Sequence, residues 1–163
     1  MNILKLELTH FGKFHLKTIT FTSGLNIVYG KNEAGKSTIH AFVRSMLFGI
    51  PDTEEGNERY SHYLPWETPH DFCGRMWIKK DDKVYRIERN FLRPQPTVRI
   101  FDDETDESLQ PAKQHLRQIL SGLTETSYLN TICIEQLKSA TDPQLAKELE
   151  DMAVNASQSK NLN

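Results

Sequence analysis

Residues 30–37 read Gly30-Lys31-Asn32-Glu33-Ala34-Gly35-Lys36-Ser37, filling every fixed position of the phosphate-loop pattern G-x-x-x-x-G-K-[ST]. Each fixed residue answers a separate demand of a triphosphate. Gly30 and Gly35 let the backbone curl through φ values that side chains oppose, so that successive N–H groups converge on phosphate oxygens. Lys36 brings a point charge to the β- and γ-phosphates, and the Ser37 hydroxyl can ligate Mg²⁺. The expected binding set is Gly30, Lys31, Asn32, Glu33, Ala34, Gly35, Lys36, Ser37 and Thr38. Glu33 is repelled by phosphate, so its carboxylate must point away from the cradle.

The flanks supply the required context. Leu25-Asn26-Ile27-Val28-Tyr29 is a short apolar run, predicting a strand buried in a parallel sheet. After the loop, Ile39, Phe42, Val43, Met46 and Ile50 recur at helical spacing, and Gly49 and Pro51 mark the stop. A strand, a glycine loop and a helix N-terminus put phosphates at the positive end of a helix dipole. The pattern implies an α/β chain that binds a nucleoside triphosphate.

The chain of 163 residues suits a globular domain with a real core, and its net charge of −2 gives no global preference for nucleic acid. Cys73 and Cys133 are far apart and lack metal-ligand spacing, which predicts reduced thiols in a cytoplasmic protein. Residues 1–8 alternate apolar and charged, unlike a signal peptide, and no apolar run approaches the roughly 18 residues of a membrane span.

Leu4, Leu6 and Leu8 alternate with Lys5, Glu7 and Thr9, predicting a half-buried strand that Gly12 turns into a second one over 14–21. Residues 51–72 carry Pro51, Pro65, Pro69 and Gly56 among charges and predict a long loop. Alternation over 74–79, 83–89 and 97–101 predicts an antiparallel sheet with one wet face. Ala112, Leu116, Ile119, Leu120 and Leu123 share a helical face, and another apolar segment covers 128–134. Beyond Pro143, Leu145, Leu149, Met152 and Ala156 begin a heptad seam, or else one face of a C-terminal surface helix that frays towards Asn163.

The order of hairpin, strand ending Tyr29-Gly30, phosphate loop and helix ending Met46-Leu47-Phe48-Gly49-Ile50 resembles the N-terminal lobe of the SMC, Rad50 and RecN group of ATP-binding-cassette ATPases. Leu64-Pro65-Trp66, Phe72-Cys73-Gly74 and Tyr85-Arg86-Ile87-Glu88-Arg89 are similar to its bacterial YhaN-like branch. The resemblance covers about residues 1–137 and implies a P-loop NTPase lobe with an antiparallel β subdomain. Residues 138–163 would then begin a coiled-coil arm. It further implies ATP and Mg²⁺ as ligands and catalytic roles for Lys36 and Gln136. Ser37 and Gln136 would be the metal contacts, Gln136 also meeting the attacking water from Ile134-Glu135-Gln136-Leu137. The implied partners are a C-terminal lobe on the same or a separate chain, a second head joined by ATP, DNA, and a nuclease subunit.

Hydrolysis in that group also needs an apolar strand ending in an acidic pair and a loop beginning Ser-Gly-Gly. Val98-Arg99-Ile100-Phe101-Asp102-Asp103 is set aside because Arg99 interrupts it, which favours an alternating sheet-edge strand ending in an acidic turn. Leu120-Ser121-Gly122-Leu123-Thr124 is set aside because Leu123 replaces the second glycine, and a glycine-containing helix stop fits better. The sequence is therefore expected to be half of an ATPase head, whether a trimmed piece, a truncated gene product or one part of a split protein. Alone it should hold ATP weakly and hydrolyse it poorly.

Two other function classes compete: a P-loop phosphotransferase acting on a small molecule, and a non-catalytic module using nucleotide as a structural ligand. A phosphotransferase needs lid arginines, and the 51–72 segment offers only Arg59. His10 and Lys13 flank the first hairpin turn, where related heads contact base or ribose, although such turns are usually solvated. Arg44 reads as an exposed charge opposite the apolar helix face. Lys79, Lys80, Lys83, Arg86, Arg89, Arg93 and Arg99 form a basic cluster of the kind that meets DNA phosphates, interrupted by Asp81, Asp82 and Glu88. The histidines show no metal spacing.

Overall fold

The computed structural model describes residues 1–31 and 34–132. Its centre is one six-stranded sheet in the order β2-β1-β3-β4-β5-β6, with every neighbouring pair antiparallel. The strands are β1 (Asn2–Phe11), β2 (Phe14–Thr20), β3 (Cys73–Lys80), β4 (Lys83–Asn90), β5 (Thr97–Asp102) and the two-residue β6 (Glu107–Ser108). The strands predicted by alternation thus form, and the short β6 joins them beyond the acidic turn. The register of β1 on β3 shifts between Ile3 and Lys5 and again between Glu7 and His10, which bends the strand.

Period-two alternation decides which face is buried. Leu6, Leu8, Met76, Ile78, Ile87 and Ile100 are fully out of solvent on one side. Helix α1 (Lys36–Phe48) lies over β1, β3 and β4 on that side and buries Ala41, Phe42, Met46 and Leu47. Gly74 permits the close approach: a Cβ there would fall 2.3 Å from Cε2 of Phe42. Phe11 sits at the centre of an aromatic cluster, with ring centroids 5.1 Å from Phe42, 5.2 Å from Tyr63, 5.3 Å from Phe72 and 5.6 Å from Phe91.

The structure departs from the expected long loop after Pro51. Glu54–Tyr63 forms a helix, α2. Thr53 caps it by accepting from the Gly56 N–H at 3.1 Å, and Glu54 and Glu55 face the positive end of the dipole. Gly56 is needed inside this helix because a Cβ would lie 2.0 Å from the Pro51 carbonyl oxygen. Helix α3 (Ala112–Leu120) lies against β5 and ends at Ser121, which adopts φ 53°. It stops short of Leu123, as the glycine-containing helix stop requires.

A larger departure concerns Leu25–Tyr29. The segment forms no strand and stands in solvent, with Leu25 87%, Ile27 80%, Val28 46% and Tyr29 95% exposed. Its apolar residues fit a buried sheet, but none of the six strands pairs with it. Asn26 instead closes a local turn, accepting from the Thr22 N–H at 2.9 Å and donating to the Thr22 carbonyl at 2.8 Å.

The chain divides into two units, the first spanning Met1–Ser121 and the second beginning at Gly122. In the second, Thr124 caps a single turn, α4 (Glu125–Ser127), which continues as a π-helical turn over Tyr128–Ile132. The expected boundary at 137/138 and the heptad beyond Pro143 lie outside the described residues.

Candidate functional site

The sequence puts a glycine, with no side chain to cap, at the start of α1. Gly35 adopts φ 102°, among the described residues no side chain caps the first turn, and that turn contains no acidic residue. This is the opposite of α2, whose N-terminus Thr53, Glu54 and Glu55 cap and neutralise. An uncapped N-terminus, whose first N–H groups have no partner within the helix, is suited to an anion brought from outside. Gly35 is further required by space, since a Cβ would lie 2.3 Å from Cζ of Phe14 and 2.9 Å from Cε of Lys13. The turn of the first hairpin therefore rests directly on the glycine loop.

Lys36 folds back over that loop. Its ammonium donates to the Gly30 carbonyl and, at 3.0 Å, to the Lys31 carbonyl. The loop is tightened by the Ala34 N–H donating to the Lys31 carbonyl at 3.1 Å, and the helix begins with the Ile39 N–H donating to Gly35 at 3.0 Å. Ser37 is exposed on the first turn and Thr38 half-buried beside it. Glycines where side chains would clash, a bare helix N-terminus, an ammonium held on main-chain oxygens and an exposed hydroxyl together fit a triphosphate with Mg²⁺. Of the expected residues, Gly30, Lys31, Ala34, Gly35, Lys36, Ser37 and Thr38 come together here. Asn32, Glu33 and Gln136 lie outside the described residues.

The opposite end of α1 is held by two arginines. Arg89 of β4 donates from Nε to the Met46 carbonyl at 2.7 Å and from Nη2 to Leu47 at 3.4 Å. Arg59 of α2, itself buried, donates to the Gly49 carbonyl at 3.3 Å. Cations at a helix C-terminus satisfy its last carbonyls and complement the dipole. Burial pushes the Arg89 guanidinium down to about 10, so it stays protonated at neutral pH. Neither clamp is visible to pattern reading, because the partners are 43 and 10 residues apart in the chain.

Several expected features are rearranged. Arg44 is not an exposed charge: its side chain is 12% exposed and pairs with Glu55 at 2.7 Å. The basic cluster is dispersed over the molecule. Lys80 turns to the Gln118 carbonyl and the Ser121 hydroxyl, Arg89 to α1, and Arg93 to Asn57, the Pro51 carbonyl and the Tyr60 ring. On the open face, Glu88 lies 3.4 Å from Arg75, 3.0 Å from Arg86 and 2.8 Å from Arg99, so much of the positive charge is internally matched. The bond to Asp106 heads the causes that raise the Arg86 guanidinium further. Cys73 is a free, half-buried thiol, pushed up by burial and by the neighbouring Asp71. Among the described residues no cluster of histidine, cysteine and carboxylate side chains is placed to hold a metal, and no helix is long and apolar enough to cross a membrane.

Helices packed on an antiparallel sheet make this an α/β domain, and its glycine loop fits a nucleoside triphosphate. A family model described as an AAA domain matches residues 1–153, and the chain belongs to that family. It is 43% identical over 56 residues to the uncharacterized protein YhaN of Bacillus subtilis, a stretch covering 34% of this chain and 6% of that protein. It is 26% identical over 146 residues to the DNA double-strand break repair Rad50 ATPase of Thermococcus kodakarensis, covering 83% of this chain and 15% of that protein. The matches thus span a small part of either relative's length. They agree with an SMC/Rad50-like N-terminal ATPase region and an ATPase-type nucleotide-binding function.

Proposed function

We propose that the chain is the ATP-binding N-terminal lobe of an SMC/Rad50-type head that hydrolyses ATP to ADP and phosphate when complemented by a C-terminal lobe. The observation that carries this reading is the start of α1, which among the described residues has no side-chain cap at Gly35 and is faced by Lys36. On nucleotide binding Lys36 would exchange the carbonyls of Gly30 and Lys31 for phosphate oxygens, and Ser37 would ligate Mg²⁺. The bound ion would supply charge neutralisation between the β- and γ-phosphates. Gln136 keeps the role the resemblance implies, at the metal and the attacking water. Water attacks the γ-phosphorus as the bond to the β–γ bridging oxygen breaks, a reaction driven by positioning and charge stabilisation.

The exposed run Leu25–Tyr29 supports a missing neighbour. Four large apolar side chains preceding a phosphate loop suit a strand that pairs with others from a C-terminal lobe, on the same or another chain. A second head joined by ATP, DNA as a partner of the assembly, a nuclease subunit and a cytoplasmic setting belong to the same proposal. DNA draws on the repair function named for the Thermococcus relative, and the rest on the resemblance of the sequence. The phosphotransferase reading is disfavoured by Arg59, the arginine it would use as a lid, which is buried on the Gly49 carbonyl.

Calorimetric titration with Mg·ATP tests the proposal. Lys36→Ala should weaken binding about 100-fold, or about 2.7 kcal/mol, without changing the far-ultraviolet dichroism. Equal affinity in the variant, or no binding by the native chain, would overturn it.

A further inference from the structure

Register arranges the face of the sheet turned away from α1 into rows. Gly74 meets Phe42 on the covered side, so its neighbours Cys73 and Arg75 belong to the open side. Glu7, Arg75, Glu88 and Arg99 stand opposite one another on β1, β3, β4 and β5, a line of alternating charge. The next row is made of short side chains: Cys73, Asn90 and Thr97 are opposite one another. Short residues beside long ones leave a hollow of about 290 Å³, walled by Arg75, Glu88 and Arg99 and shared by Thr9, Cys73, Asn90 and Thr97. That is the small end of ligand sites, which run from roughly 300 Å³ upward. Its charges do not cancel. The Glu88 side chain is 13% exposed, and its two oxygens lie 3.4 Å from Arg75 Nε and 2.8 Å from Arg99 Nη2. Each guanidinium carries five N–H donors, and the side chains of Arg75 and Arg99 stay 52% and 63% exposed. Arg86 is matched by Asp103 and Asp106, Arg89 turns to α1, and Glu7, which reaches Arg75 at 3.5 Å, lies outside the hollow. Two guanidinia against one carboxylate leave a single positive charge.

We propose that this hollow binds a small hydroxylated monocarboxylate, its carboxylate bridging Arg75 and Arg99 and its hydroxyls meeting Thr9, Asn90 and Thr97. The Glu88 carboxylate already spans the same two guanidinia, so they stand at a separation that one carboxylate fits. Glu88 also holds them in place, and a ligand therefore meets donors ordered in advance. One residual charge selects a monoanion. A phosphate dianion would stand beside the Glu88 carboxylate with charge that the wall does not match. The hydroxyl and amide groups donate and accept, which suits the hydroxyls of the ligand. The site lies across the sheet from α1 and does not rest on the phosphate-loop reading.

Alkylation of Cys73 reads the site, because this half-buried thiol lines the hollow. In the chain carrying Cys133→Ser, Cys73 is the remaining cysteine. Its rate with iodoacetamide is followed against gluconate, sorbitol, inorganic phosphate and a single-stranded oligonucleotide at matched ionic strength. Gluconate at about ten times its dissociation constant should slow the reaction about 10-fold, the ratio of total to free sites, and neutral sorbitol should leave it unchanged. Arg75→Gln and Arg99→Gln should each weaken gluconate about 10-fold without changing the far-ultraviolet dichroism. Lys36→Ala should leave the protection as it is, which keeps this site apart from the phosphate loop. Full reactivity under gluconate would overturn the proposal. So would protection that survives both arginine variants, that is lost in Lys36→Ala, or that phosphate or the oligonucleotide gives more strongly than gluconate.

Discussion

Leu6, Leu8, Ile87 and Ile100 are wholly withdrawn from solvent, whereas Leu25, Ile27 and Tyr29 in the same unit are 80–95% exposed. Composition does not separate the two groups; both are aliphatic or aromatic residues suited to strands. The difference is supply of partners. The antiparallel strands find hydrogen-bonding neighbours in adjacent hairpins and a cover in α1, so the sheet buries its apolar face with elements of its own unit. The approach to the phosphate loop has neither. The molecule thus combines a self-sufficient sheet with an open edge before the glycine loop whose apolar residues are unspent, and the hydrophobic effect acts on that edge only when something else covers it.

The largest effect that would sharpen this contrast is expected at Phe11. Its ring touches four other aromatic rings and is fully buried, so Phe11→Ala should destabilise the unit by about 3–5 kcal/mol in urea unfolding. A loss below about 1 kcal/mol would mean that the sheet does not carry the stability attributed to it.

The sheet was legible in the sequence because period-two alternation survives in each strand, and the phosphate loop because its fixed residues are contiguous. Both signals are local. Helix α2 was hidden by Pro51, Pro65 and Gly56, although Thr53 followed by Glu54 and Glu55 is a start signal that outweighs them. The dispersal of the basic cluster was also readable, through parity: Lys79 and Lys80 adjoin, and Arg86 and Arg89 are three apart, so each pair must face opposite sides of a sheet. The clamps of Arg59 and Arg89 and the hollow over Cys73 were not readable. They depend on which distant elements meet, and on which side chains the strand registers bring together. The environment of Leu25–Tyr29 was misread for a related reason: an apolar run reports what a segment can bury, not whether a neighbour is present to bury it.

An intermediate effect is expected where sheet and loop are joined. Arg89→Met removes a buried guanidinium, relieving its desolvation but leaving the Met46 carbonyl unpaired, and the net loss should be about 1–2 kcal/mol. The folded value of about 10 lies below that of the unfolded chain, so the charged group costs stability at neutral pH, a cost relieved as pH rises through 10. The native chain should therefore gain on Arg89→Met above that pH in parallel unfolding curves. A constant difference would remove burial as the cause of the shift.

The smallest effect belongs to the exposed edge, and it cuts most directly at the contrast. Replacing Leu25, Ile27 and Tyr29 together by threonine keeps strand propensity and removes apolar surface. If these side chains are in water, as their 80–95% exposure indicates, stability should change by no more than about 0.5 kcal/mol. Binding of a hydrophobic dye and self-association should both fall, because the patch that drives them is gone. A loss above about 2 kcal/mol would show that the segment is buried in solution. The contrast between a closed sheet and an open edge would then fail, together with the argument that a further lobe completes it.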